Sequence, residues 1–324
     1  MTPRAGLVGL LAPLLLAACD QGASIVRVPR GFPPMIVPAD NPTTEAGIVL
    51  GRVLYYDARL SHDGQRACAD CHPQSGSFTS DKMIGVLPHI NLAWSRSFLW
   101  TGGTEGTLED AMTMEVEDFF HTDVERLRVP DLQLLFLAAF GSEEITTKRA
   151  AYALAQFQRT LVSGNAPYDR YLNGDTSAMS PAAIRGEQLF YSERGDCMHC
   201  HATRLFTDNR FHNNGLDLDA AITERGRSRI TKDPADDGKY KTPTLRNVAV
   251  TAPYMHDDRF ATLEEVIDFY SDGVRYSRTV DSLMQNVHAG GLHLTPQERA
   301  DLVAFLGALT DDEYLSNPAL AAPR

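Results

Sequence analysis

The chain has 324 residues, 43% of them hydrophobic, with 42 acidic and 30 basic side chains and a net charge of -12. At about 150 residues per domain the length suggests two domains, and 22% charged residues with 11 Tyr exclude a disordered chain. The negative balance argues against nucleic-acid partners, whose phosphates require the opposite sign.

Residues 1–18 open with a positive group, Arg4, followed by an apolar run from Leu7 to Ala18. The run is too short to span a bilayer and Pro13 interrupts it, so it reads as a signal peptide. It ends in Leu16-Ala17-Ala18-Cys19, which looks like a bacterial lipobox. Lipidation of Cys19 would anchor the protein without spanning the membrane, with the folded part in the periplasm. Residues 19–45, with Pro29, Pro33, Pro34, Pro38 and Pro42, then read as a tether.

Four cysteines remain beside Cys19. They form Cys68-Ala69-Asp70-Cys71-His72 and Cys197-Met198-His199-Cys200-His201. Two disulfides, or one zinc site built from both halves, would use the thiols but leave His72 and His201 unexplained. C-x-x-C-H is the attachment signature of c-type haem. Cys68, Cys71, Cys197 and Cys200 would form thioethers, and His72 and His201 would be the proximal iron ligands. Two covalent haems c follow.

The surroundings of the two motifs repeat. Gly51-Arg52-Val53-Leu54-Tyr55-Tyr56 precedes the first and Gly186-Glu187-Gln188-Leu189-Phe190-Tyr191 the second, each on a short amphipathic helix. Thr107 starts a helix, and Lys148 to Val162 forms a longer one. Asn165 to Ser180 reads as a linker, and Ser180-Pro181 opens the helix before the second motif. Thr262 starts a helix with Glu265 completing a capping box. Thr295-Pro296 starts the last, with Leu302, Phe305, Leu306 and Leu309 as its apolar stripe. Little strand pattern is visible. The expected fold is all-α: two cytochrome c-like domains in tandem, at residues 46–165 and 166–315, with a tail at 316–324.

From about residue 40 to 315 the chain resembles the di-haem cytochrome c peroxidase and MauG-like family. The resemblance is carried by both haem motifs, Phe98-Leu99-Trp100, Ser163-Gly164-Asn165, Phe211-His212-Asn213-Asn214-Gly215, Thr242 to Val248, and Ala252-Pro253-Tyr254-Met255-His256-Asp257. It implies that the N-terminal haem reduces hydrogen peroxide and the C-terminal haem relays electrons. Trp100 matches the tryptophan between the haems, and Arg246 is expected to pair with a propionate. The distal ligand of the second haem falls fourteen residues after His256 by that resemblance, at Tyr270, where the peroxidases carry Met; Met284, Met255 and an open position are the alternatives.

The family's distal Gln and Glu positions fall on Asp110 and Phe120 here. A shifted chain would present Glu115, Glu117 or His121 as the acid–base group instead. His89 is read as a surface-loop residue or a cap on the first iron. Thr251 and Pro253 match family calcium positions and admit a Ca²⁺ ion, although its asparagine ligand has no clear counterpart. Three functions compete. One is a peroxidase fed by a small cytochrome c or cupredoxin. Another is a MauG-like oxidase that modifies a partner protein. The third is a pure electron carrier.

Overall fold

The computed structural model describes residues 25–222 and 225–323, so Cys19 and the signal-like segment lie outside the described residues. The fold is helical, with two short antiparallel strand pairs, Ser97–Phe98 with Thr104–Glu105 and Phe211–His212 with Tyr240–Lys241. No described helix is long and apolar enough to cross a membrane.

Among the described residues, two of three hydrophobic clusters form around crossed helix pairs. The Glu45–Tyr55 helix, capped by Thr44, whose Oγ1 accepts from the Gly47 N–H, packs on the Thr147–Gln158 helix. The Pro181–Phe190 helix packs on the Pro296–Gly307 helix in the same way. Each crossing is set by a glycine. A Cβ on Gly51 would lie 1.9 Å from the Ala153 carbonyl oxygen, and one on Gly186 would lie 1.9 Å from that of Asp301. Only glycine lets the backbones meet so closely. The repeated Gly-x-x-Leu-aromatic-Tyr pattern is therefore a crossing motif, with Leu54, Tyr55 and Phe190 buried behind it. The stripe of Leu302, Phe305, Leu306 and Leu309 is fully used in the second core.

A second repeat was legible only in part. Thr107 and Asp110 form a capping box for the Leu108–Met114 helix, as Thr262 and Glu265 do for the Leu263–Asp268 helix. Each helix then widens into one π-helical turn, Glu115–Phe119 and Phe269–Gly273. Such turns re-aim side chains and are frequent at functional sites. Glu115 and Tyr270 each stand eight residues beyond their capping threonine, so they occupy equivalent positions in the two lobes.

The boundaries differ from expectation in three places. Residues 25–44 are packed rather than a free tether. Phe32 is buried edge-on to Trp94, whose indole N–H donates to the Pro33 carbonyl at 2.9 Å. In the linker, the Pro167–Leu172 helix buries Tyr168 and Asp169, leaving 173–177 exposed. The Asp312–Ser316 helix and the tail return to the first lobe, where Tyr314 and Leu320 join its core. Asp311 fastens this return, accepting from the backbone N–H groups of Gly164 and Asn165 at 2.8 Å.

Candidate haem sites

Each C-x-x-C pair lies in a single helical turn, Cys68–Cys71 and its counterpart ending at Met198–His201, with the histidine completing the motif. His72 Nδ1 lies 2.8 Å from the Phe78 carbonyl oxygen, and His201 Nδ1 lies 2.7 Å from that of Phe206. A carbonyl only accepts, so both Nδ1 atoms carry the proton and both Nε2 lone pairs are left for iron. Desolvation holds His72 down to about 4 and also lowers His201, which keeps both rings neutral as ligands must be. The four thiols are free of disulfides. Among the described residues they do not converge on a common metal point, which removes both alternatives to haem attachment.

A cavity of about 250 Å³ opens beside the second motif. Its walls are largely apolar and carry Cys197, Cys200, His201, Tyr270, Met255 and Met284. The Tyr270 hydroxyl accepts from Asn214 Nδ2 at 3.0 Å, and burial pushes its pKa up to about 12. Tyr270 and both methionines thus share one chamber with the proximal histidine. Asn214, inside the Phe211–Gly215 motif, orients the phenol and was not singled out from sequence.

Arg246 is placed differently from expectation. It is fully buried, and its two terminal nitrogens grip Asp169 at 2.7 and 2.9 Å while Nε donates to the Arg204 carbonyl at 2.9 Å. Its fork is spent on protein and is not held out for a propionate. Lys241 fits that part instead. It is 8% exposed, lines the cavity, and burial lowers its pKa to about 8. A buried cation facing an apolar chamber is what an anionic haem edge would compensate. Thiols, neutral imidazoles, apolar walls and this lysine together fit haem c.

Trp100 joins the lobes. Its indole N–H donates to the Gly85 carbonyl at 2.9 Å, and its ring stands edge-on to His256 at 6.5 Å. His256 in turn stacks on Tyr240 at 3.6 Å. His212 is held between Asp208 at 2.8 Å and Asp281 at 2.6 Å, which raises its pKa.

Of the three distal candidates, only Glu115 turns inward. It is partly buried, desolvation raises its pKa to about 7, and its charge acts on the Cys68 thiol and the Tyr55 phenol. Glu117 is exposed and accepts from Thr147 Oγ1 at 2.7 Å. His121 is exposed, with Nδ1 bonded to the Glu117 carbonyl at 2.9 Å. Both are corrected to surface positions: two residues around a helical turn reverse the facing direction. His89 sits in a loop but is turned inward, partly buried rather than at the surface. It stacks on His72 at 3.6 Å, with Nδ1 bonded by the Tyr55 hydroxyl and Gln158 Nε2 at 3.0 Å each.

The family model described as di-haem cytochrome c peroxidase matches residues 45–177. Methylamine utilization protein MauG of Methylorubrum extorquens is 38% identical over 296 residues, covering 84% of this chain and 80% of the relative. Cytochrome-c peroxidase IdrP1 of Denitromonas iodatirespirans is 34% identical over 354 residues, covering 94% and 92%. A solved MauG-like protein associated with microbial copper homeostasis superposes with a TM-score of 0.84 at 34% identity, over 91% of this chain and 98% of the other.

Proposed function

The chain belongs to the family of di-haem cytochrome c peroxidases and MauG, and from that membership we propose that it reduces hydrogen peroxide to water with electrons from a small cytochrome c or cupredoxin. The carrying observation is Glu115, a single carboxyl turned toward the first haem motif with a pKa near neutrality. His72 would hold the haem iron, which when bound would supply the redox chemistry for O–O cleavage. Glu115 takes a proton from the bound peroxide and returns it to the departing oxygen, so that peroxide, two protons and two electrons become two waters. Near pH 7 it can do both, because neither protonation state dominates. Trp100, wedged between the lobes, provides the aromatic ring through which electrons pass. Lys241 and Asn214 orient the second haem and its distal phenol.

One observation favours the second reading, a MauG-like oxidase that turns peroxide's oxidising power on a partner protein. Tyr270, rather than a methionine alone, shares the chamber with His201. A phenolate is a hard donor that favours highly oxidised iron, whereas a thioether raises the reduction potential. Thr251 and Pro253 line the same cavity, which is in keeping with a Ca²⁺ ion bound through their carbonyls. The lipobox-like sequence ending at Cys19 supports an anchored periplasmic enzyme.

Steady-state turnover tests the proposal. Reduced cytochrome c should be oxidised in pairs for each peroxide consumed, with one high-spin and one low-spin haem in the resting EPR spectrum. Slow cytochrome oxidation with rapid peroxide uptake would favour the MauG-like reading; two low-spin haems inert to peroxide would leave only an electron carrier. Replacing Tyr270 by Phe should change the low-spin signal of the second haem and shift its potential. An unchanged spectrum would hand the distal position to Met284 or Met255.

A further inference from the structure

The turn leading into the second haem motif carries three side chains that neither peroxide chemistry nor core packing uses. Glu193, Asp196 and His199 follow at three-residue intervals, and Asp196 takes a left-handed backbone, φ 58°, that brings it back toward its neighbours. The His199 Nε2 atom lies 3.2 Å from Glu193 Oε2 and 3.2 Å from Asp196 Oδ1. All three ligand atoms fall within 4.8 Å of one another. Bonds of about 2.0–2.2 Å from one ion to such donors place neighbouring donor atoms roughly 3.0–3.4 Å apart, which is the spacing of His199 Nε2 from each carboxylate.

Hydrogen bonding within the cluster does not satisfy it. One Nε2–H serves one carboxylate, and the bond is made to Glu193. The Asp196 side chain is only 9% exposed, and its Oδ1 has no hydrogen-bond partner. A nine-tenths buried carboxylate oxygen aimed at an imidazole nitrogen, with no donor of its own, calls for a cation. Asp196 also borders the second haem cavity, but its Oδ1 lies 3.2 Å from His199 Nε2, on the side of the cluster.

We propose that Glu193, Asp196 and His199 bind one first-row transition-metal dication of the zinc class. One imidazole and two carboxylates suit borderline ions, whereas calcium and magnesium prefer all-oxygen sites. Glu193 is 69% exposed, so the remaining coordination positions open to water and the ion exchanges. The site sits one residue from Cys197, on the protein surface beside the second haem, and it does not depend on which substrate the enzyme oxidises.

The test uses tag-free protein carrying both haems, stripped with chelator and titrated with Zn²⁺ by calorimetry, with metal content measured after gel filtration. One zinc per chain is expected to bind. His199→Ala and Glu193→Ala should each weaken that event by about tenfold or more, with haem content and visible spectra unchanged. Asp196→Asn should do the same; if it disturbs haem attachment at Cys197, the other two variants decide. Absence of a stoichiometric zinc, or zinc binding that both His199→Ala and Glu193→Ala leave intact, overturns the site.

Discussion

Exchanging Glu115 for Gln is expected to slow the reaction with hydrogen peroxide by about 10²–10⁴-fold. Glutamine keeps the size and the hydrogen bonding of the side chain but cannot shuttle a proton. The environment that makes Glu115 useful is desolvation beside Cys68 and Tyr55, which lifts its pKa to about 7. The sign of the pH dependence follows. The carboxylate must first take a proton from peroxide, so the wild-type rate should rise as pH passes upward through about 7 and then level. Stopped-flow bleaching of the Soret band against pH reads this limb, and the Gln variant should lack it. Glu117→Gln and His121→Ala should stay within about twofold of wild type, because both groups are on the surface. If either of these, rather than Glu115→Gln, abolishes the limb, the assignment fails. Linkage gives a companion expectation. A carboxyl raised on folding binds more protons in the folded state between its ordinary value of 4.5 and about 7. Its contribution to stability is therefore lost as pH rises through that window, and Glu115→Gln should be the more stable protein at pH 8.

The second large effect is structural. Arg246→Ala should destabilise the protein by about 3–5 kcal/mol, because it strands the buried Asp169 carboxylate without a partner. That is a large share of the roughly 5–15 kcal/mol of a folded domain. Arg246 also lies over the rings of Phe32 and Phe206, at 4.7 and 5.6 Å from their centroids, so its loss loosens the 25–44 segment and the second core together. Arg246→Lys should recover only part of the deficit, since an ammonium cannot make the paired bonds to Asp169. Thermal unfolding monitored away from the haem bands measures the loss. A variant that unfolds like wild type but shows a displaced haem potential would restore the propionate role.

Cysteine and histidine spacing made the haem ligands legible because the whole attachment unit fits into five residues. Local geometry alone places two thiols and an imidazole on one side of a turn. Capping boxes, the Ser180-Pro181 start and the apolar stripe near residue 305 were legible for the same reason: their partners stand three or four residues away. The repeated glycines were visible as a pattern, but their role as crossing points required the carbonyls of Ala153 and Asp301, more than one hundred residues downstream.

By itself the amino-acid order determined two covalent haems, an all-helical chain, and a short set of distal candidates. Tertiary structure alone separated the acid–base candidates by burial. A π-helical turn, whose register depends on the packing around it, aims Glu115 inward and sends Glu117 and His121 to solvent. Asp169, 77 residues from Arg246, claims the guanidinium and leaves Lys241 to face the haem cavity. The tail returns to the first lobe because Tyr314 and Leu320 find apolar partners there. Chemistry encoded within one turn of helix survives translation from sequence directly. Which side chain faces a cavity depends on long-range contacts that desolvate one group and solvate its neighbour, and those exist only once the chain has folded.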